Sequence, residues 1–283
     1  MNPSLSPSLS PSPNPTLSAA VIVTAICLCG LYVTAAVRLR GRGDAWPYRR
    51  DVLFCLGGVV LCAGSAQPVL PNGGPTWGPF TEHVFRHVAG GMAAPLLLAS
   101  ARPLTLTWRA LPVAPRRVLH RVLRTRVARA VTWLPTAAVL DIGGLWLLYR
   151  TPLFAAAHHR PWLDALVHVH VVLAGLLFTM SALSLDPVRR AGRLGFRVAV
   201  LVVAAAAHAV LAKSLYVDGP AGTAFAPEDL RAGAMLMYYG GDAVEVVIGL
   251  VIGGRWLRAR GRDRSLVRGD PPPALGASEA RAQ

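Results

Sequence analysis

Seven apolar stretches, each of roughly 18–23 residues, alternate along this chain with arginine-dense connectors. A helix of that length crosses a hydrocarbon core of ~30 Å. The pattern therefore predicts an all-α polytopic membrane protein with seven transmembrane helices, over residues 17–37, 52–70, 83–101, 130–149, 163–184, 198–217 and 233–253. No strand-like alternation runs through any of them. Composition agrees, with 53% hydrophobic and 15% charged residues and a mean hydropathy of +0.45. An ordinary soluble domain is excluded on that balance.

The charge pattern sets the orientation. Of the 29 basic residues, 24 fall in four segments: 38–51, 102–129, 185–197 and the tail from 254. The intervening connectors carry only Arg150, Arg160 and Arg231, while Arg86 and Lys213 lie inside spans. Positive residues collect on the cytoplasmic side, so the N-terminus is expected outside and the C-terminus in the cytoplasm of a multi-pass plasma-membrane protein. A nucleic-acid surface would not alternate loop by loop, so the net charge of +15 does not point to that partner. It points to membrane lipid, whose acidic headgroups attract basic connectors.

Residues 1–16 are rich in Ser and Pro and are expected to be a disordered extracytoplasmic segment. They lack the basic start of a secretory signal. Residues 17–260 form the expected transmembrane domain, and 261–283 a disordered cytoplasmic tail. Cys27, Cys29, Cys55 and Cys62 all fall in the first two spans. They read as small apolar packing residues rather than a disulfide framework.

Seven of the eight histidines fall in the outer half of spans or in outer loops, and only His120 does not. His83 and His87 are spaced i,i+4, so they share a helix face one turn apart and can contribute to one metal site. His168 has Asp164 one turn outward, and His170 is rotated away. Met235 and Met237 open the last span. Imidazole with thioether suits Cu(I), and imidazole alone also suits zinc or haem iron. The plainer alternative is that these are packing residues. Asp141, Asp242 and Glu245 place carboxylates inside spans, either as structural ion pairs with a partner such as Arg86 or as a proton or ion path.

The third span reads HVFRHVAGGMAAPLLLASARPLTLTWRALP, the fifth DALVHVHVVLAGLLF, and the entry to the seventh EDLRAGAMLMYYGG. In order and spacing they resemble the seven-helix cytochrome c oxidase assembly factors of the CtaG type. The match rests on His83, His87, Pro95, Pro103, Leu104 and Thr105, then His168, Gly175 and Phe178, then Asp229, Ala232, Gly233 and Met237. It covers roughly residues 50–260. The chain departs from that pattern at Val84, Arg86, Asp164, Leu230 and Tyr238, as a divergent member would.

The resemblance implies an assembly factor rather than an enzyme. It implies binding of copper, as Cu(I), on the extracytoplasmic side and its delivery to the oxidase, most simply to the CuB centre of subunit I. The metal ligands it implies are His83, His87, His168 and Met237, with Asp164, Asp229 and Arg86 orienting them or balancing charge. Cytochrome c oxidase subunits are the implied partners, with an extracytoplasmic copper chaperone as a further one. Three rival functions stay open on the residues alone: a copper or proton transporter using Asp141, Asp242 and Glu245, a b-type haem or quinone redox protein with its haem in the outer half, and a structural or receptor-like seven-helix protein that binds no metal.

Overall fold

The computed structural model describes residues 15–65, 77–184 and 194–268, and these are helical with no strand among them. The Ser/Pro-rich stretch 1–14, the end of the second predicted span, part of the 185–197 connector and the last fifteen residues lie outside the described residues. Helix α1 covers Pro15–Gly41. It ends with Arg38 and Arg40 in its last turn, where cations complement the carbonyl end of the helix dipole. Gly43, at φ 83°, reverses the chain. Helix α2 is Arg49–Ser65. Helix α3 is Pro79–Ser100 and meets α4, Pro103–Ala110, at a bend of 42°. Arg102 sits in the left-handed region at that bend, and Pro103 after it disfavours a right-handed helical continuation.

Two short basic helices follow, α5 over Val113–Leu123 and α6 over Arg126–Val131. Helix α7 occupies residues 134–150. Then come α8, Leu153–His158, α9, Pro161–Ala182, α10, Leu194–Asp218, and α11, Pro227–Arg268. Helix α11 thus runs eight residues past residue 260, where the sequence places the end of the helical domain.

Four helices are long and apolar enough to cross a membrane: α1, α9, α10 and α11, with α3 and α4 together as a bent fifth. Their outward residues are apolar, as lipid contact requires; Ile26, Val203 and Leu250 are each more than half exposed. The two other stretches predicted to span are shorter helices here. Helix α2 is described for 17 residues, roughly 25 Å at 1.5 Å per residue. The predicted span 130–149 is not one helix, because the chain leaves α6 at Thr132 and restarts at Leu134 with Pro135 in the first turn.

Two packed cores hold these helices. The smaller joins α1, α2 and α4 through Tyr32, Leu39, Trp46, Phe54 and Leu106. The Tyr32 ring stacks on Phe54 at 4.0 Å, and its hydroxyl donates to the Ala101 carbonyl at 2.8 Å. The larger core gathers α3, α7, α8, α9, α10 and α11 around Phe80, Tyr149, Phe154, Leu211 and Met237.

Both α3 and α7 contain a π-helical turn, His87–Ala93 and Val139–Gly143. Such turns re-phase the side chains that follow and often mark functional sites. In α3, Pro95 cannot donate to the Gly91 carbonyl. Gly175 of α9 packs against that carbonyl, and a Cβ there would overlap it. Two glycines thus bring α9 against the His-bearing turn of α3.

Candidate metal centre

The N-terminal end of α3 carries His83 and is fixed from α11. Pro79 occupies the first helical position after Gly78, so the orphan donors of that turn begin at Phe80. The Asp229 carboxylate accepts from Phe80 N at 2.8 Å and from Thr81 N at 2.9 Å. The Thr81 hydroxyl adds a third bond at 2.7 Å. A carboxylate at a helix N-terminus also meets the positive end of its dipole. Glycine at 78 is required, because a Cβ there would collide with that carboxylate. Asp229 therefore orients the candidate site through the helix that carries it.

Two other imidazoles stand beside that of His83. Its ring centroid lies 6.2 Å from that of His158 and 6.4 Å from that of His168. Phe154 packs edge-on against it at 4.7 Å. His83 Nε2 pairs with the Tyr149 hydroxyl at 3.1 Å. His168 Nδ1 donates to the Asp164 carbonyl at 2.9 Å, with the Asp164 carboxylate 3.3 Å away. His158 Nδ1 donates to the Phe154 carbonyl at 2.8 Å. With Nδ1 holding the proton, Nε2 is the lone pair that His158 and His168 can each offer a metal. His158 had no spacing signal, because its partners lie on other helices.

His87 turns to a different neighbour. Its ring is 6.1 Å from that of His208 on α10. Both residues are buried, and neither ring nitrogen of either finds a hydrogen-bond partner in the protein. A buried polar atom left unpaired costs roughly 1–3 kcal/mol, so this pair is a standing cost to the fold. The Glu245 carboxylate is the nearest acid, 3.8 Å from His208 Nδ1. Gly241, one turn outward of Glu245, makes room for the His208 ring, which a Cβ there would strike. Met237, another turn outward, is fully buried in the core.

Glu245 lies within electrostatic reach of Asp141 and of Asp242, three residues before it on α11. Arg86 does not join them. It is paired with Glu82 one turn outward on its own helix. His170 serves packing, with Nε2 bonded to the Leu140 carbonyl in the π turn of α7 at 3.1 Å and its ring against Gly144.

Of the predicted ligands, His83, His87 and His168 line one cavity of about 410 Å³, together with Arg86, Asp164 and Tyr149. Its remaining walls are mostly apolar side chains, including Val21 and Leu28, with the hydroxyl residues Ser18, Thr24 and Ser65 among them. Met237 is not among the lining residues. Among the described residues, no three His, Cys, Asp or Glu side chains converge on one point as a rigid metal cage would. The donors are imidazole nitrogens, a set that suits a soft, low-charge ion such as Cu(I) better than a hard divalent cation. Arg86, though paired with Glu82, argues further against high charge here.

Comparison with known proteins places this geometry in a family. An uncharacterized protein of Mycobacterium leprae is 31% identical over 171 residues, covering 58% of this chain and 26% of its own length. Uncharacterized proteins of Mycobacterium bovis and Mycobacterium tuberculosis are each 30% identical over 196 residues, covering 65% of this chain and 29% of theirs. The chain thus spans under a third of the length of the curated relatives it matches. No solved structure matches it. Residues 30–259 match the family described as cytochrome c oxidase caa3 assembly factor. With that match covering most of the chain, this protein belongs to the cytochrome c oxidase caa3 assembly factor family.

Proposed function

We propose that this protein takes up Cu(I) at the outer face of the cell membrane and passes it to cytochrome c oxidase during assembly. It does so as a seven-helix protein with its N-terminus outside, α2 and α7 completing the bundle as short spans. The basic connectors support that orientation. In that orientation the His83 end of α3 lies on the extracytoplasmic side.

The observation that carries the reading is that His158 and His168 each stand beside His83, with His83 and His168 on the cavity wall. Ring centroids 6.2 and 6.4 Å apart suit an ion held by two or three neutral nitrogens. A site with so few ligands exchanges its ion readily, which delivery requires. His87, Met237, Asp164 and Asp229 complete the set: His87 on the cavity wall, Met237 buried in the core, Asp164 orienting His168 and Asp229 holding α3. Cytochrome c oxidase subunits are the partners, with an extracytoplasmic copper chaperone upstream.

The test is genetic. Cells lacking the protein should assemble an oxidase depleted of copper and low in activity. The wild-type gene should restore both, and the His83→Ala/His168→Ala double variant, produced at equal level, should not. Full restoration by the double variant would refute copper delivery through these residues.

A further inference from the structure

With copper as the cargo, as proposed above, the unpaired rings of His87 and His208 take on a chemical meaning. They come from different helices, α3 and α10, and meet in the core. Each is held against a glycine: Gly91 beside His87 and Gly241 beside His208. His87 is 6% exposed and His208 fully buried. Two imidazoles on opposite sides of one ion, with metal–nitrogen bonds of about 2 Å, have ring centroids roughly 6 Å apart. The observed separation is 6.1 Å.

We infer that His87 and His208 form a second copper site, deeper than the outer histidines, in which one Cu(I) is held by two imidazole nitrogens. The donor count selects the ion. Structural zinc asks for four ligands, and no third His, Cys, Asp or Glu joins this pair among the described residues. Cu(I) is soft and accepts two nitrogens. Glu245, 3.8 Å from His208 Nδ1, is too far for a hydrogen bond in this structure but is the acid on that side of the ring, which leaves Nε2 for the metal. His208 Nε2 is then the ligand. Imidazole binds in its neutral form, so no proton or electron moves when copper enters or leaves. His87 shares the cavity wall with His83 and His168. An ion taken at the outer histidines therefore passes to the inner pair along one wall.

The test titrates the purified full-length protein with Cu(I) under reducing conditions and follows bound copper and its X-ray absorption. Wild type should bind two equivalents. His208→Leu should bind one, while keeping the wild-type elution volume and helical circular dichroism. Gly241→Ala removes no ligand yet crowds the His208 ring, and should weaken one equivalent at least tenfold. In His83→Ala/His168→Ala, the remaining copper should have two nitrogen neighbours and no others. One equivalent in wild type, unchanged in His208→Leu, would overturn the inner site and leave the outer one standing. Three or four neighbours in the double variant would also overturn it. No copper in wild type would refute both sites.

Discussion

Removing the Asp229 carboxylate should loosen the outer turn of α3 without touching a histidine. Two backbone donors, Phe80 N and Thr81 N, and the Thr81 hydroxyl depend on it. Phe80 and Thr81 are both buried, so water cannot readily replace the lost acceptor. An N-terminal cap contributes about 1–2 kcal/mol, and a negative charge at a helix N-terminus adds up to about 1 kcal/mol. Asp229→Ala should therefore cost about 3 kcal/mol, and Asp229→Asn, which keeps one acceptor oxygen, about 1–2 kcal/mol. At 1.4 kcal/mol per tenfold, the alanine variant should open the first turn about a hundredfold more often. Amide hydrogen exchange in detergent micelles measures this at Glu82, His83 and Val84, with α10 amides as internal control. Faster exchange confined to α3 and its contacts, and weaker Cu(I) binding at His83, would agree. A change within about 0.5 kcal/mol, the scatter of an ordinary surface substitution, would refute the capping argument.

Other substitutions probe the same frame. Gly175→Ala should force α9 off the Gly91 carbonyl and lower stability by about 1–3 kcal/mol, read as a lower midpoint of denaturant unfolding. It should also lower copper affinity, because His168 rides on α9. Tyr149→Phe removes the hydroxyl paired with His83 Nε2; about 1 kcal/mol of stability should go, with faster release of copper in a chelator competition. His170→Leu should leave bound copper unchanged while weakening the α7–α9 contact, since its Nε2 is spent on the Leu140 carbonyl.

Much of the helical order can be read from apolar length alone, because a bilayer leaves helices as the ready way to satisfy the backbone. Lengths mislead where one residue ends a helix. Thr132 and Pro135 break the stretch 130–149, and only the turn geometry reveals it. The i,i+4 pair His83 and His87 reads as one binding face. Yet a π turn begins at His87, and the packing of α9 and α10 gives each ring a different neighbour. His158 and His208 carry no periodic signal, since their partners lie far along the chain. Asp164 was legible beside His168, being one turn away on the same helix. Asp229 could be recognised as part of a motif, but its action on the α3 N-terminus, 148 residues away, could not.

Copper bound per purified protein, after loading with Cu(I) under reducing conditions, tests the central claim most directly. Wild type and His83→Ala/His168→Ala are compared at equal folding, judged by elution volume. Two equivalents of copper in wild type, falling by one in the variant, is the predicted result. Equal copper in both, or none in wild type, would contradict copper uptake at the outer histidines.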